Sequence, residues 1–158
     1  VGVVPFAQNI DQSVFSQSDG ERVSPNAAVL TGVDESGSPI SGFPVAVDQE
    51  LVKLGQERFN IYCIPCHGPA GEANGIAVQF GVLKPPSLLD TNARTITSGD
   101  IFKIITEGRG KMFPYDYRVQ PNERWAIISY IRALQLKSGP ADPASLTPED
   151  LKAIEGQP

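Results

Sequence analysis

Between Asp48 and Tyr62, apolar side chains return at Leu51, Leu54, Phe59 and Tyr62, with mostly polar residues at the positions between. That spacing marks one face of an α-helix. Asp48 stands where an N-cap carboxylate would, and Glu50 falls in the first turn, where negative charge meets the positive end of the helix dipole. Gly55 lies on the same face. A glycine inside a helix costs about 1 kcal/mol against alanine, so its presence predicts that another helix crosses closely there. A second helical pattern opens at Thr97–Asp100, continues through Ile101, Phe102, Ile104 and Ile105, and ends at Gly108. The strongest begins at Pro121 and carries Trp125, Ile128, Ile131 and Leu134 before stopping near Ser138-Gly139-Pro140. These three segments predict an all-α fold.

The segments between and outside them are broken by Gly and Pro. Gly68–Gly75 cannot continue a long helix and reads as a wrapping turn; Lys84-Pro85-Pro86-Ser87-Leu88 reads as a rigid one. Residues 1–47 show neither sustained helical period nor clean strand alternation, and are rich in Ser, Gly, Pro and Asn. Yet they keep Val3, Val4, Phe6, Val14, Phe15, Val29, Leu30, Phe43 and Val45, which a fully solvated linker would not need. Composition alone fits both a disordered linker and an extended arm laid across a partner. In the tail, Thr147-Pro148-Glu149-Asp150-Leu151 carries a cap signature, with Leu146 and Leu151 at hydrophobic-staple positions, and predicts a short C-terminal helix. The chain thus divides into an N-terminal arm over 1–47, a central domain over 48–138 and a tail over 139–158.

Charge sharpens this division. The formal net charge of −5 over 158 residues is unevenly spread. Residues 1–50 hold one basic and seven acidic side chains, residues 51–138 eleven and seven, and residues 139–158 one and four. An acidic chain without a basic stripe interleaved with aromatics argues against nucleic acid as a partner. Opposite charge on centre and ends suits docking to other proteins. No apolar run approaches the length of a membrane span.

The chemistry sits in Cys63-Ile64-Pro65-Cys66-His67, which holds both cysteines and the single histidine of the chain. Two thiols at this spacing can add across the two vinyl groups of a haem to form thioether links, with the adjacent imidazole held under the iron as its fifth ligand. A zinc site normally takes four nitrogen or sulfur ligands, and Cys and His together supply three here. A redox dithiol needs no trailing histidine and usually sits in a βαβ context, which this pattern lacks. One covalent haem c is therefore the cofactor the motif predicts.

The candidate sixth ligand is Met112, the single methionine, in Gly108-Arg109-Gly110-Lys111-Met112-Phe113-Pro114-Tyr115. A lone methionine is most often core filler, but a loop punctuated by Gly and Pro between two helices is a poor place for one. Such a loop can swing a thioether onto the distal face of a haem, and His/Met ligation raises the reduction potential and closes the iron to exogenous ligands. A metal-bound His67 would donate its other N–H to an acceptor, and a carbonyl in the Pro-rich segment, that of Pro86, is the candidate. A rigid turn explains the same prolines equally well.

Helix, attachment motif, Pro-rich loop, helix, Met loop, helix is the order of class I cytochromes c, which residues 48–138 resemble. The phrases Gln56-Glu57-Arg58-Phe59-Asn60-Ile61-Tyr62-Cys63, Pro85-Pro86-Ser87-Leu88 and Glu123–Gln135 are similar to the monohaem cytochrome subunit of alternative complex III, a bacterial quinol:electron-acceptor oxidoreductase. Arg22-Val23-Ser24-Pro25-Asn26 resembles that family's N-terminal arm. In those proteins the ligand methionine is commonly followed directly by Pro, whereas Phe113 intervenes here; the turn Gly71–Gly75 is also less Gly-rich than usual.

The resemblance implies an electron-transfer subunit rather than an enzyme in its own right, with no small-molecule substrate. Its partners would be other subunits of a membrane complex, including a multihaem cytochrome, and a soluble electron acceptor protein or terminal oxidase. Its place would be the periplasmic side of the bacterial cytoplasmic membrane. Two alternatives stand beside it. A free-standing periplasmic carrier gives no reason for a long segment ahead of the first helix. A haem enzyme with an open iron would need a distal acid or base, for which Arg109 and Lys111 are the nearby residues.

Overall fold

The computed structural model describes residues 27–139, and it builds the predicted helices from the predicted caps. Among the described residues seven helices follow one another: α1 (Ala27–Thr31), α2 (Gln49–Tyr62), α3 (Ile64–His67), α4 (Ile76–Gln79), α5 (Thr91–Thr95), α6 (Ser98–Glu107) and α7 (Pro121–Lys137). No strand forms among the described residues; two isolated bridges, Val33 with Pro39 and Arg109 with Met112, pin turns. Asp48 caps α2 by accepting the Leu51 N–H at 2.8 Å. Thr97 caps α6 by accepting the Asp100 N–H at 3.0 Å. A reciprocal capping box between Gln120 and Glu123, with Pro121 in the first turn, opens α7.

The core is where α2, α6 and α7 meet. Phe59, Phe102, Trp125, Ile127 and Ile128 are all but fully buried there. The α7 helix is enclosed nearly all round, since Arg124 through Ser129 are buried in an unbroken run. The Phe102 and Trp125 rings stack with centroids 4.9 Å apart, and Phe59 meets the Tyr130 ring edge-on at 5.3 Å. At Gly55 the backbones of α2 and α7 come into direct contact. A Cβ there would run into the Ala126 carbonyl, a backbone group that cannot swing aside. This is the crossing that the glycine predicted.

Residues 27–47 are not a detached segment. The Val29 side chain is buried, and the Val29 carbonyl accepts the Trp125 indole N–H at 2.8 Å. Ile40 bridges the segment to α6, its N–H donating to Gly32 at 3.1 Å and its carbonyl accepting from Gly99 at 2.8 Å. Phe43 presents an edge to the Trp125 ring at 6.0 Å. A tight loop around Asp34, whose carboxylate accepts from the Ser36 and Ser38 N–H groups, turns the chain between these anchors. The apolar residues Val29 and Phe43, read from sequence as points for a linker or a partner, are used against the chain's own core. The first 26 residues, and the helix predicted around Thr147–Leu151, lie outside the described residues.

Replacing Gly55 with alanine gains helix propensity but overpacks a backbone contact, which typically costs ~1–3 kcal/mol. Thermal melts of the Gly55→Ala holoprotein should show Tm lowered by several degrees; an unchanged Tm would mean that the two helices separate without penalty.

Candidate functional site

Cys63 ends α2 and begins α3. Its N–H closes the last turn of α2 on the Phe59 carbonyl at 2.9 Å, and its carbonyl accepts from Cys66 at 3.2 Å and from His67 at 2.9 Å. This single turn, with Pro65 at a position that needs no N–H donor, sets the two thiols three residues apart, the spacing of side chains that neighbour one another on a helix. Both cysteines are unpaired and partly buried. Burial, reinforced by the neighbouring Cys66, pushes the Cys63 thiol up to about 12. A catalytic dithiol needs the opposite shift, because the thiolate is its nucleophile. Burial also holds the His67 imidazole below its ordinary value, so that it is neutral near pH 7, the form that binds metals.

The turn after His67 folds back over the motif. Ala73 donates to the His67 carbonyl at 2.8 Å and Gly75 to that of Cys66 at 3.2 Å. Ala73 is buried and takes a φ of 61°, in the left-handed region that disfavours a Cβ. The Pro-rich segment is tied to this turn, not to the imidazole. Leu88 donates to the Gly71 carbonyl at 2.8 Å, and Gln135 of α7 donates to the Leu88 carbonyl at 2.7 Å. Pro86 is exposed, and His67 Nδ1 is buried without a hydrogen-bond partner, so the two are not bonded to each other.

Met112 lies at the end of the turn after α6. Gly108 stops that helix with a φ of 76°, and Arg109 and Met112 exchange backbone hydrogen bonds at 3.1 and 3.0 Å. The Met112 side chain is half-buried and packs against the same core that Cys63, Ile64 and Leu88 border. The extra residue, Phe113, points outward and is 78% exposed. Behind it Tyr115 returns to the core, donating to the Ile105 carbonyl at 3.0 Å. Burial first, and then the Cys63 and Cys66 thiols, raise the Tyr115 phenol above its ordinary value, so it remains a donor at neutral pH. Sequence reading placed Tyr62 on the apolar helix face and Tyr115 in the methionine loop but missed that they pair; the signal was present in their positions, three residues after the methionine and one before the first cysteine.

A haem c fits what these residues offer. The buried His67 nitrogen is uncommitted to the fold, both thiols are free, and among the described residues no cluster of three His, Cys, Asp or Glu could hold a bare metal ion. Large apolar side chains, Ile76, Phe80, Val82 and Leu83, stand exposed downstream of the motif.

The family described as cytochrome C oxidase, cbb3-type, subunit III matches residues 50–131. The chain belongs to that family. It is a class I cytochrome c, and a domain of this kind implies covalently bound haem c and electron transfer. No curated protein matches the cytochrome. Among solved structures it is similar to a chain of the Kuenenia stuttgartiensis reducing HAO-like protein complex Kustc0457/Kustc0458, at 21% identity and a TM-score of 0.49. That similarity covers 61% of this cytochrome and 49% of the other chain, so it spans about half of that neighbour's length.

Ala73 supplies a test of how tightly the turn is held. Glycine there relieves a left-handed strain of ~1–2 kcal/mol, while it loses a buried methyl and gains unfolded-chain entropy of ~0.4–1 kcal/mol. Ala73→Gly should therefore be close to neutral in denaturant melts, whereas Ala126→Gly, in the buried middle of α7, should lose ~1 kcal/mol or more.

Proposed function

We propose that this cytochrome is the monohaem subunit of a quinol:electron-acceptor oxidoreductase of the alternative complex III kind. In this reading it takes single electrons from a neighbouring haem and passes them to a soluble carrier or terminal oxidase on the periplasmic side of the membrane. The observation that carries the electron-transfer part is the residue economy of the site. The single histidine and both cysteines share one turn, and the single methionine ends a turn that borders the same core.

Cys63 and Cys66 would hold the haem by thioether links, and His67 and Met112 would ligate its iron. Bound haem c supplies one-electron redox chemistry, with the potential raised by a thioether ligand. The chain's own contribution is to hold these donors still. Cys63 closes the capped helix α2, the single turn of α3 ends at His67, and Met112 closes the turn that follows α6, with Cys63 and Met112 packed against the apolar core. Arg109 and Lys111, the residues nearest Met112 that could serve as a distal acid or base, stand exposed on the turn.

Membership of the complex is supported by the phrases at 56–63, 85–88 and 123–135 and by the acidic segment ahead of the domain. Since residues 27–47 pack on α6 and α7, the part of the arm left for docking other subunits is the first 26 residues. The domain that carries haem then begins at α1.

Two measurements test the reading. Met112→Ala should keep its haem yet bind exogenous ligands and shift to a lower potential; a spectrum and potential matching the parent would remove Met112 from the iron. Native membranes solubilised in mild detergent should carry the cytochrome in an assembly with multihaem and iron–sulfur subunits. Migration as a lone small protein would leave the free carrier as the function.

A further inference from the structure

Between α6 and α7 the chain runs through Met112, Phe113, Pro114 and Tyr115, and the middle two are exposed. The proline fixes its own φ, so the path from Met112 to Tyr115 has few free torsions. Tyr115 is where this path is fastened. Its N–H donates to Ile105 in the last turn of α6 at 3.0 Å, and its carbonyl accepts from Arg118 at 3.0 Å and Val119 at 2.9 Å. Its ring meets Tyr62 edge-on with centroids 6.2 Å apart. Its hydroxyl reaches the Tyr62 carbonyl at 3.5 Å, a long hydrogen bond to the last residue of α2, directly before Cys63. The attachment turn and the methionine turn, 45 residues apart in sequence as His67 and Met112 stand, are thus joined through two tyrosines.

We propose that Tyr115 is a positioning residue for Met112. By clamping the loop to the end of α2, it sets how readily the thioether leaves the iron and admits another ligand. This rests on the reading of Met112 as the sixth ligand. A loop held only by its own turn would open whenever that turn frays. A loop tied to the residue before Cys63 opens only when the contact with the attachment helix also breaks.

The test is imidazole titration of the ferric holoprotein, followed by the loss of the long-wavelength band that thioether sulfur gives ferric haem. Tyr115→Phe removes the hydroxyl and keeps the ring; Tyr62→Leu removes the ring edge from the other side without touching the loop. Each should raise the apparent affinity for imidazole, by roughly two- to threefold for the hydroxyl alone, whose hydrogen bond is long, at unchanged haem content. Ile101→Val, a core change on α6 away from the clamp, serves as the control for general loosening and should leave the affinity as in the parent. If both tyrosine variants titrate like the parent while Met112→Ala binds imidazole far more tightly, the positioning role is overturned and the ligand assignment stands. If Ile101→Val shifts as much as Tyr115→Phe, the effect is loss of stability and the proposal also fails. If Met112→Ala itself titrates like the parent, the ligand reading falls, and the proposal with it.

Discussion

Everything else in the domain is placed by the crossing of α2 and α7 at Gly55. The missing side chain lets one helix backbone rest on the carbonyl of Ala126 in the other. Each helix then delivers one half of the site. The end of α2 runs straight into the attachment turn, and the start of α7 receives the chain coming from the methionine turn. A crossing made by side chains on both helices would tolerate sliding, since rotamers can adjust. Backbone against backbone leaves little to adjust, because packed interiors do not deform continuously.

Around this contact, α7 works in two directions. Its apolar residues make the core, while its long polar side chains reach outward to backbone groups of irregular segments that would otherwise lack partners. Arg124 donates to the Val119 and Asp116 carbonyls, steadying the approach from the methionine turn. Gln135 donates to Leu88, and Arg132 to Ile96, steadying the chain between the Pro-rich segment and α6. Arg94 answers from α5 by donating to the Gln135 carbonyl at 2.7 Å. Loops without secondary structure are thus held by fixed donors on one rigid helix. This accounts for an α7 buried nearly all round despite its charged residues.

Much of this was legible in the sequence because it was local. Asp48, Thr97 and Pro121 announce helix starts through bonds made within one turn, and C-x-x-C-H announces its chemistry through spacing alone. Gly55 was legible for another reason: a residue that weakens its own helix implies a compensating neighbour. What could not be read depends on contacts between distant segments. Val29 and Phe43 looked like isolated apolar points because their partner, Trp125, lies far along the chain. The hydrogen bonds of Leu88 and Gln135 that hold the Pro-rich segment carry no sequence motif. The four short helices α1, α3, α4 and α5 are too brief to show a period, and are shaped by their surroundings more than by propensity.

The bond from Trp125 to Val29 joins residues 96 positions apart. A chain delivered from its N-terminus presents Val29 first, then the two cysteines, and Trp125 only much later. The segment covering α6 and α7 therefore has no docking surface while the attachment turn is already exposed. The entropy of closing so long a loop grows only slowly with its length, by about 0.6 kcal/mol per doubling. Order of assembly, more than energy, is what this contact governs: the indole N–H can reach the Val29 carbonyl only after everything between them, the attachment turn and α6 included, has been delivered.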